Sequence, residues 1–488
     1  MNFTNIPSEE TIPRADSMMQ TLRAMGYTLE TAVADILDNS ITAGARRIAL
    51  KFDWRGEDSS LLIADDGYGM DESQLVEAMR PGSLHPSQER SAADLGRFGL
   101  GLKTASFSQA RRLTVLSKVT GGSVKFRCWD LDHINDTRRW CLLTFLSKDN
   151  LRHQLEQQPR GTVVYWEKLD RLTGGLNEGN DDHLAVFTKA ITDVKRHLSM
   201  VFHRYLESGL KIIVNERELE PWDPFLTDKE RFGAASQVVL DETIGSGLVK
   251  VLAYVLPHHN RLSTPVFDEA SGIRGWNAHQ GFYIYRNQRL LVPGDWLGMF
   301  RRDEHHKLAR IIVDLPNTLD AAWQIDIRKS VARPPALLRA ELKRIAAYTR
   351  AHAAEVYRAR GRKLQRSINL GFTPVWNERI RQGKRFYELN REHPLIQVIL
   401  KNPGDSSAIH TALRLIEETV PVPLIALNEA EKPRDQARPY EHAEDEVNTL
   451  LRRLYSDLIA SGRSADETKK LLSLMEPFSH YPHLIDLL

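Results

Sequence analysis

This 488-residue chain has only two cysteines, no long apolar stretch and nearly balanced charge. The two cysteines, Cys128 and Cys141, form no Cys-x-x-Cys pair, which argues against a structural zinc site and favours reduced core thiols. No run approaches the ~18 apolar residues of a membrane span. Residues 1–16 are polar and lack the apolar core of a secretion signal. We therefore predict a cytoplasmic protein that makes no membrane contact.

The net charge is only +2, because 66 Lys and Arg face 64 Asp and Glu. A nucleic-acid partner would therefore need a local basic surface. A long helix predicted over 335–366 provides one candidate, since nine Lys or Arg and two Glu lie between Leu338 and Arg366. The alternative is a solvated connecting helix.

The order of predicted elements indicates an α+β protein. Helices are predicted over 28–42, 71–80 (with Asp71 as N-cap) and 99–110, and strands over 47–52, 61–64, 112–118, 123–129, 139–146 and 162–166. After a helix at 183–206, an α/β region has candidate strands at 210–214, 247–256, 281–285 and 310–314. The predicted domains are 1–200, 201–334, the helix 335–366, and a mostly helical region, 367–488.

Two polar residues share one face of the first long helix, because Asp35 and Asn39 are four positions apart. A carboxylate there can accept a proton from an attacking water. An amide oxygen can ligate Mg²⁺ that phosphates and waters also hold. The alternative is an ordinary polar helix face.

A predicted strand runs directly into the segment Asp65-Asp-Gly-Tyr-Gly-Met70. The Asp65 carboxylate can accept a hydrogen bond from an exocyclic amine such as that of adenine. Gly67 and Gly69 would let a ring approach the backbone, and Met70 would pack on that ring. The alternative is a simple Asp-Gly turn between a strand and a helix.

Glycines lead into the next predicted helix, in the segment Gly96-Arg-Phe-Gly-Leu-Gly-Leu-Lys-Thr-Ala105. Backbone N–H groups at a helix start can bind phosphate oxygens, and Lys103 can reach a terminal phosphate as a point charge. The segment is not a P-loop, because Leu102 precedes the lysine, and not a dinucleotide fingerprint, because Thr104 replaces the third glycine. Further along, Thr162 can hydrogen-bond near a base or can be an ordinary hairpin residue.

In order and spacing, the segments 35–39, 65–70, 96–105 and 161–162 resemble the four motifs of the GHKL superfamily of gyrase, heat-shock chaperone, histidine-kinase and MutL ATPases. The resemblance implies a Bergerat-type sandwich of a mixed sheet on helices that binds ATP and Mg²⁺, with a lid over residues 80–98. It implies that Asn39 ligates Mg²⁺ and that Asp65 binds the adenine. The implied nucleotide-binding residues are Asn39, Asp65, Gly67, Gly69, Met70, Gly96, Gly99, Leu100, Gly101, Leu102, Lys103, Thr104 and Thr162.

One position departs from the pattern of the superfamily. Its hydrolytic members usually carry glutamate where this chain has Asp35. Aspartate is one methylene shorter, and a misplacement of about 1 Å can cost about 100-fold in rate. We therefore expect an ATPase that hydrolyses slowly, with Asp35 as the catalytic base.

The segments 281–291 and 323–330 resemble the transducer domain of MORC and MutL ATPases. In that domain a lysine reaches back to the terminal phosphate, which makes Lys329 the second catalytic candidate and Arg328 its reserve. A solvated strand-end lysine is the alternative. A histidine kinase is disfavoured, because no histidine precedes His85.

Three functions remain open from the sequence. The basic helix favours an ATP-gated clamp on DNA. The resemblance to MORC and MutL ATPases implies that such a clamp is a homodimer, with a DNA-modifying or nuclease partner protein, in a bacterial restriction–modification or phage-defence system. The second function is a chaperone-like ATPase with protein clients. The third is a nucleotide-sensing scaffold with little hydrolysis.

Overall fold

The computed structural model describes residues 11–24, 26–82, 101–245, 247–258, 261–320, 322–325, 332–366, 375–381, 384–400, 406–420, 425, 444–460, 462–475 and 478–488. Most of the predicted lid lies outside these ranges, as do Gly96, Gly99, Leu100, Arg328 and Lys329. The chain divides into two compact units, Met1–Ala354 and Glu355–Leu488. The finer domain boundaries given above stay predictions.

A seven-stranded mixed sheet is the frame of the first part of the chain. Its strands are β1 (Arg47–Asp53), β2 (Ser60–Asp65), β3 (Arg112–Lys118), β4 (Lys125–Asp130), β5 (Gly161–Glu167), β6 (Lys211–Val214) and β7 (Arg217–Glu218). They lie in the order β4-β3-β5-β2-β1-β6-β7. The pair of β1 and β6 is parallel, and the other neighbours are antiparallel. The first two predicted strands and those at 112–118, 123–129 and 162–166 are confirmed.

Two strand predictions differ from the structure. The segment 139–146 makes only one bridge, between Cys128 and Leu143, instead of a strand. The strand predicted at 210–214 forms, but as β6 it extends the first sheet beside β1 instead of joining the second sheet. Strand propensity is local, whereas the choice of a neighbouring strand depends on packing.

Helices cover this sheet. They are α1 (Ala15–Arg23), α2 (Leu29–Thr42), α3 (Glu72–Met79), α4 (Gly101–Gln109), α5 (Leu131–Thr137), α6 (Asp149–Glu156), α7 (Asp170–Thr173), α8 (Asp181–Val201) and α9 (His203–Glu207). Helix α2 packs against α4 and α8. Leu113 and Val115 of β3 join the core formed with these helices, whereas Leu116 points to the opposite face, where α6 packs. Helices on a mixed sheet confirm the predicted α+β Bergerat-type sandwich.

Local sequence signals explain where the helices of the site begin. Thr28 precedes α2 and forms a capping box with Thr31. Asp71 caps α3, as predicted, because its side chain accepts a hydrogen bond from the Gln74 backbone N–H. These caps fix the residues at which both helices begin.

A second, five-stranded sheet follows in the same unit, together with α10 (Lys229–Phe232) and α11 (Thr264–Ala270). Its strands are β8 (Gln237–Ile244), β9 (Val249–Val255), β10 (Gly281–Arg286), β11 (Arg289–Asp295) and β12 (Ala309–Leu315). Their order is β11-β10-β12-β9-β8. Strands β9, β10 and β12 were predicted, whereas β8 and β11 were missed. Strand β11 contains Pro293 and Gly294, which weaken a sequence-based strand signal.

One hydrophobic core joins the two sheets, since Tyr283, Tyr285 and Leu290 pack into the cluster formed by α2 and α8. An ion pair crosses the same boundary: the Arg289 Nε donates to Asp38 Oδ1 at 3.0 Å, and the two side chains are 6% and 0% exposed. Helix α2, which carries Asp35 and Asn39, is therefore tied directly to β11.

The long helix predicted over 335–366 forms as α12 (Ala336–Arg366). The second unit contains a hairpin that was not predicted, followed by helices. Its elements are β13 (Trp376–Arg381), β14 (Lys384–Leu389), α13 (Pro394–Leu400), α14 (Ser406–Glu418), α15 (Glu444–Ala460), α16 (Ala465–Ser473) and α17 (Pro482–Asp486). Within the described ranges, no helix is both long and apolar enough to cross a membrane.

Candidate functional site

Helix α2 places a buried carboxylate and an exposed amide four residues apart. Asp35 is 4% exposed, and its Oδ2 accepts a hydrogen bond from the Tyr27 hydroxyl at 2.8 Å. Asn39, one turn further along, is exposed. A Cβ atom added to Gly101 would lie 3.9 Å from Asp35 Oδ2. The start of α4 therefore lies beside the candidate base.

Asp65, at the end of β2, lies beside the C-terminal part of the same helix. Its Oδ2 accepts a hydrogen bond from the Ser40 hydroxyl at 2.7 Å, and its Oδ1 accepts one from the Gly67 N–H at 3.0 Å. Burial raises the pKa of Asp65, and these two hydrogen bonds and one from the Thr162 backbone oppose that rise. Helix α2 thus carries the buried Asp35 carboxylate and positions that of Asp65 through Ser40.

A chain of hydroxyl groups extends the site from Asp65 towards β3. The Ser117 hydroxyl lies 2.9 Å from Thr162 Oγ1, and the Met70 backbone N–H donates to Ser117 Oγ at 2.8 Å. The structure therefore brings together the predicted residues Asp65, Met70 and Thr162. Sequence reasoning missed Ser117, and no local signal marks it, because its partner is 45 positions away.

The glycines of the Asp-Gly-Tyr-Gly turn are required by the protein's own packing. Gly69 has φ +73°, and a Cβ atom there would lie 2.0 Å from the Lys118 carbonyl oxygen. A Cβ atom at Gly67 would lie 2.9 Å from Ala43 and 3.0 Å from Asp65 Oδ1. The sequence predicts that these glycines allow a ligand ring to approach the backbone. In this structure the atoms that approach them closely belong to the polypeptide itself.

The described part of the glycine-rich segment forms the start of α4. Leu102 packs against the core, and the Thr104 hydroxyl donates to the Gly101 carbonyl at 3.4 Å. The Lys103 ammonium donates to the Ala78 carbonyl at the end of α3, at 2.8 Å, and its side chain is buried. In this conformation Lys103 is bound by the protein, so contact with a phosphate would require it to exchange that partner.

Burial lowers the pKa of Lys103 to about 8 from an ordinary 10.5. The unfolded chain therefore binds more protons than the folded chain between pH 8 and 10.5, and stability due to this residue increases with pH over that window. Relative to the Lys103→Met variant, the wild type should gain up to about 3 kcal/mol in its free energy of unfolding as the pH rises across this range. Denaturant titrations of both proteins at several pH values measure the gain. A difference that stays constant with pH would contradict the lowered pKa.

The groups that line this site fit an adenine nucleotide with a divalent cation. Asp65 is a buried acceptor with hydroxyl groups beside it, which suits the edge of a purine base. Asn39 offers an exposed amide oxygen one turn from Asp35, and Mg²⁺ usually takes one or two such ligands plus phosphates and waters. The chemistry of these groups is therefore compatible with ATP and Mg²⁺.

Comparison with known proteins points to the same part of the chain. Residues 27–162 match the family described as histidine kinase-, DNA gyrase B- and HSP90-like ATPases. An ATPase, morc-1 of Caenorhabditis elegans, is 27% identical over 123 residues. This match covers 25% of the chain and 14% of the length of the worm protein. Residues 27–162 therefore match a GHKL-type ATPase family, and 123 residues of the chain are similar to a MORC ATPase.

Proposed function

We propose that this protein binds ATP with Mg²⁺, hydrolyses it slowly, and acts as an ATP-gated homodimeric clamp on DNA. The binding of a nucleotide is supported by two buried carboxylates that helix α2 holds in place. Asp35 lies on α2, and Asp65 is hydrogen-bonded to Ser40 of the same helix. Five residues of helix separate these positions by about 7.5 Å. One helix can thus hold the phosphate end and the base end of a single nucleotide.

Each residue of the site has a defined task in this proposal. Asp35 accepts the proton of the attacking water, and the Tyr27 hydroxyl fixes the orientation of its carboxylate. Asn39 holds Mg²⁺, which when bound offsets the charge of the phosphates. Asp65 accepts a hydrogen bond from the exocyclic amine of adenine, and Thr162 and Ser117 orient its surroundings. Lys329 is the proposed cation for the terminal phosphate.

The DNA part of the proposal rests on local positive charge. Helix α12 begins with an exposed basic stretch that includes Lys343 and Arg344. Arg344 is already paired with Glu242 in an exposed ion pair, so this stretch offers less free charge than the sequence suggests. Arg358 and Arg362 belong to the same basic helix, and their side chains are not among those that the structure describes.

Two measurements on the 488-residue chain test this function. Steady-state ATP hydrolysis should be slow and should increase when double-stranded DNA is added. Light scattering should show a monomer without nucleotide and a dimer with a non-hydrolysable ATP analogue, because contacts to the terminal phosphate would exist only in the closed state. Nucleotide-driven dimerisation without turnover would instead favour the scaffold. Stimulation by an unfolded protein and not by DNA would favour the chaperone.

A further inference from the structure

A basic pocket opens at the end of β11, between the loop 294–302 and the first turn of α12. Its volume is about 650 Å³. Four arginines line it, and Asp295 is the one acidic residue among the described residues of its lining. The four are Arg274, Arg302, Arg333 and Arg339. We call this site the arginine pocket; its lining carries a net charge of +3.

Two of the arginines are fixed by the backbone of β11. The Arg274 Nη2 donates to the Pro293 carbonyl at 2.9 Å, and the Arg302 Nη2 donates to the Gly294 carbonyl at 3.2 Å. Arg302 also lies 3.3 Å from Asp295 Oδ2. Burial, and then repulsion from Arg302, lower the pKa of Arg274. These two guanidinium groups are thus held close together, and the Asp295 carboxylate pairs with that of Arg302.

The other two arginines line the open side of the pocket. Arg333 and Arg339 are exposed, and within the described part of the chain neither makes an ion pair. An added Cβ atom on Gly298 would lie 3.9 Å from the Arg339 Nη2, so the loop lies close to this guanidinium. Four cations that converge on one concavity repel one another unless an anion binds between them. The arrangement therefore favours the binding of an anionic ligand.

The composition of the lining narrows the class of that ligand. Guanidinium groups match phosphate oxygens in a bidentate geometry. The apolar lining residues are aliphatic and include Val292, Leu297 and Ala332. No aromatic ring lines the described pocket on which an unpaired base could stack. A backbone of regularly spaced phosphates whose bases are already paired fits this surface better than a single strand does.

We propose that the arginine pocket binds the phosphate backbone of a nucleic-acid duplex without reading its sequence. This inference rests on the proposed function, because it names the surface through which the clamp would hold DNA. The main contact with DNA would then lie at the junction of β11 and α12. It would not lie along the body of α12, where Arg344 is paired with Glu242. Arg333 and Arg339 make the outer phosphate contacts, and Arg274 and Arg302 form the inner wall.

The test is equilibrium binding of a duplex of about 30 base pairs, about three helical turns, to the double variant Arg333→Glu/Arg339→Glu of the whole 488-residue chain. These side chains are exposed, so the variant should fold. We expect its affinity to decrease by tenfold or more at low salt. The slope of log affinity against log salt should become shallower by about two, because each phosphate contact contributes about 0.9. Inorganic phosphate should compete weakly with the duplex for the wild type.

A matched control removes the same charge elsewhere. Lys51 and Arg217 are exposed on β1 and β7 of the first sheet, and Lys51→Glu/Arg217→Glu should bind the duplex like the wild type. Equal losses in both double variants would show that only net charge matters and would overturn the proposal. Unchanged duplex affinity in the pocket variant would also overturn it.

Measurement of ATP affinity and of hydrolysis without DNA on the same variants separates this inference from the proposed function. The expected result is that both stay at the wild-type level in the pocket variant. If ATP affinity decreases and duplex affinity does not, the pocket serves the nucleotide and the inference is wrong. If the wild type itself binds no duplex, the DNA part of the proposed function fails, and the pocket proposal fails with it.

Discussion

Replacement of Asp35 by asparagine should reduce ATP hydrolysis by at least about 100-fold and leave ATP binding nearly unchanged. A positioned general base contributes about 10²- to 10⁴-fold to rate, and an amide cannot accept the proton. The substitution keeps the shape of the side chain, and the Tyr27 hydroxyl can still donate to the amide oxygen, as it does to Oδ2 at 2.8 Å in the wild type. Steady-state turnover and calorimetric nucleotide binding would measure the two effects separately.

Tyr27→Phe is the companion variant. It leaves the Asp35 carboxylate in place but removes the hydrogen bond that orients it, so hydrolysis should decrease by less than in Asp35→Asn. Equal turnover of Asp35→Asn and the wild type would exclude Asp35 as the base. If the wild type binds ATP and does not turn over, the shorter carboxylate has disabled the chemistry, and the protein is a nucleotide sensor.

Replacement of Arg289 by methionine should destabilise the first unit by about 3–5 kcal/mol. Asp38 is fully buried, and the substitution removes the positive charge that lies 3.0 Å from its carboxylate in the core. Denaturant unfolding at pH 7 would measure the loss.

Two further variants show whether the burial of this ion pair is the cause. The double variant Asp38→Asn/Arg289→Met should recover part of the lost stability, because it removes the buried negative charge together with the positive one. Arg344→Met breaks an exposed pair with Glu242 and should leave the free energy of unfolding unchanged. An Arg289→Met protein as stable as the wild type would contradict the importance of the pair.

The sequence by itself determined the features that depend on neighbouring residues. The spacing of Val33, Ile36 and Leu37 predicts α2, and the side chain of Asp71 predicts the start of α3. Periodicity and capping act over a few residues, so a single sequence carries them in full. The same locality put Asp35 and Asn39 on one helix and supplied the resemblance to the superfamily.

Only the tertiary structure decided which distant residues meet. It paired Asp38 with Arg289, connected Ser117 to Thr162, and directed Lys103 to the Ala78 carbonyl instead of to open solvent. It also placed β6 beside β1. Such contacts follow from how sheets and helices pack, and packing depends on the whole core at once and not on any short window of residues.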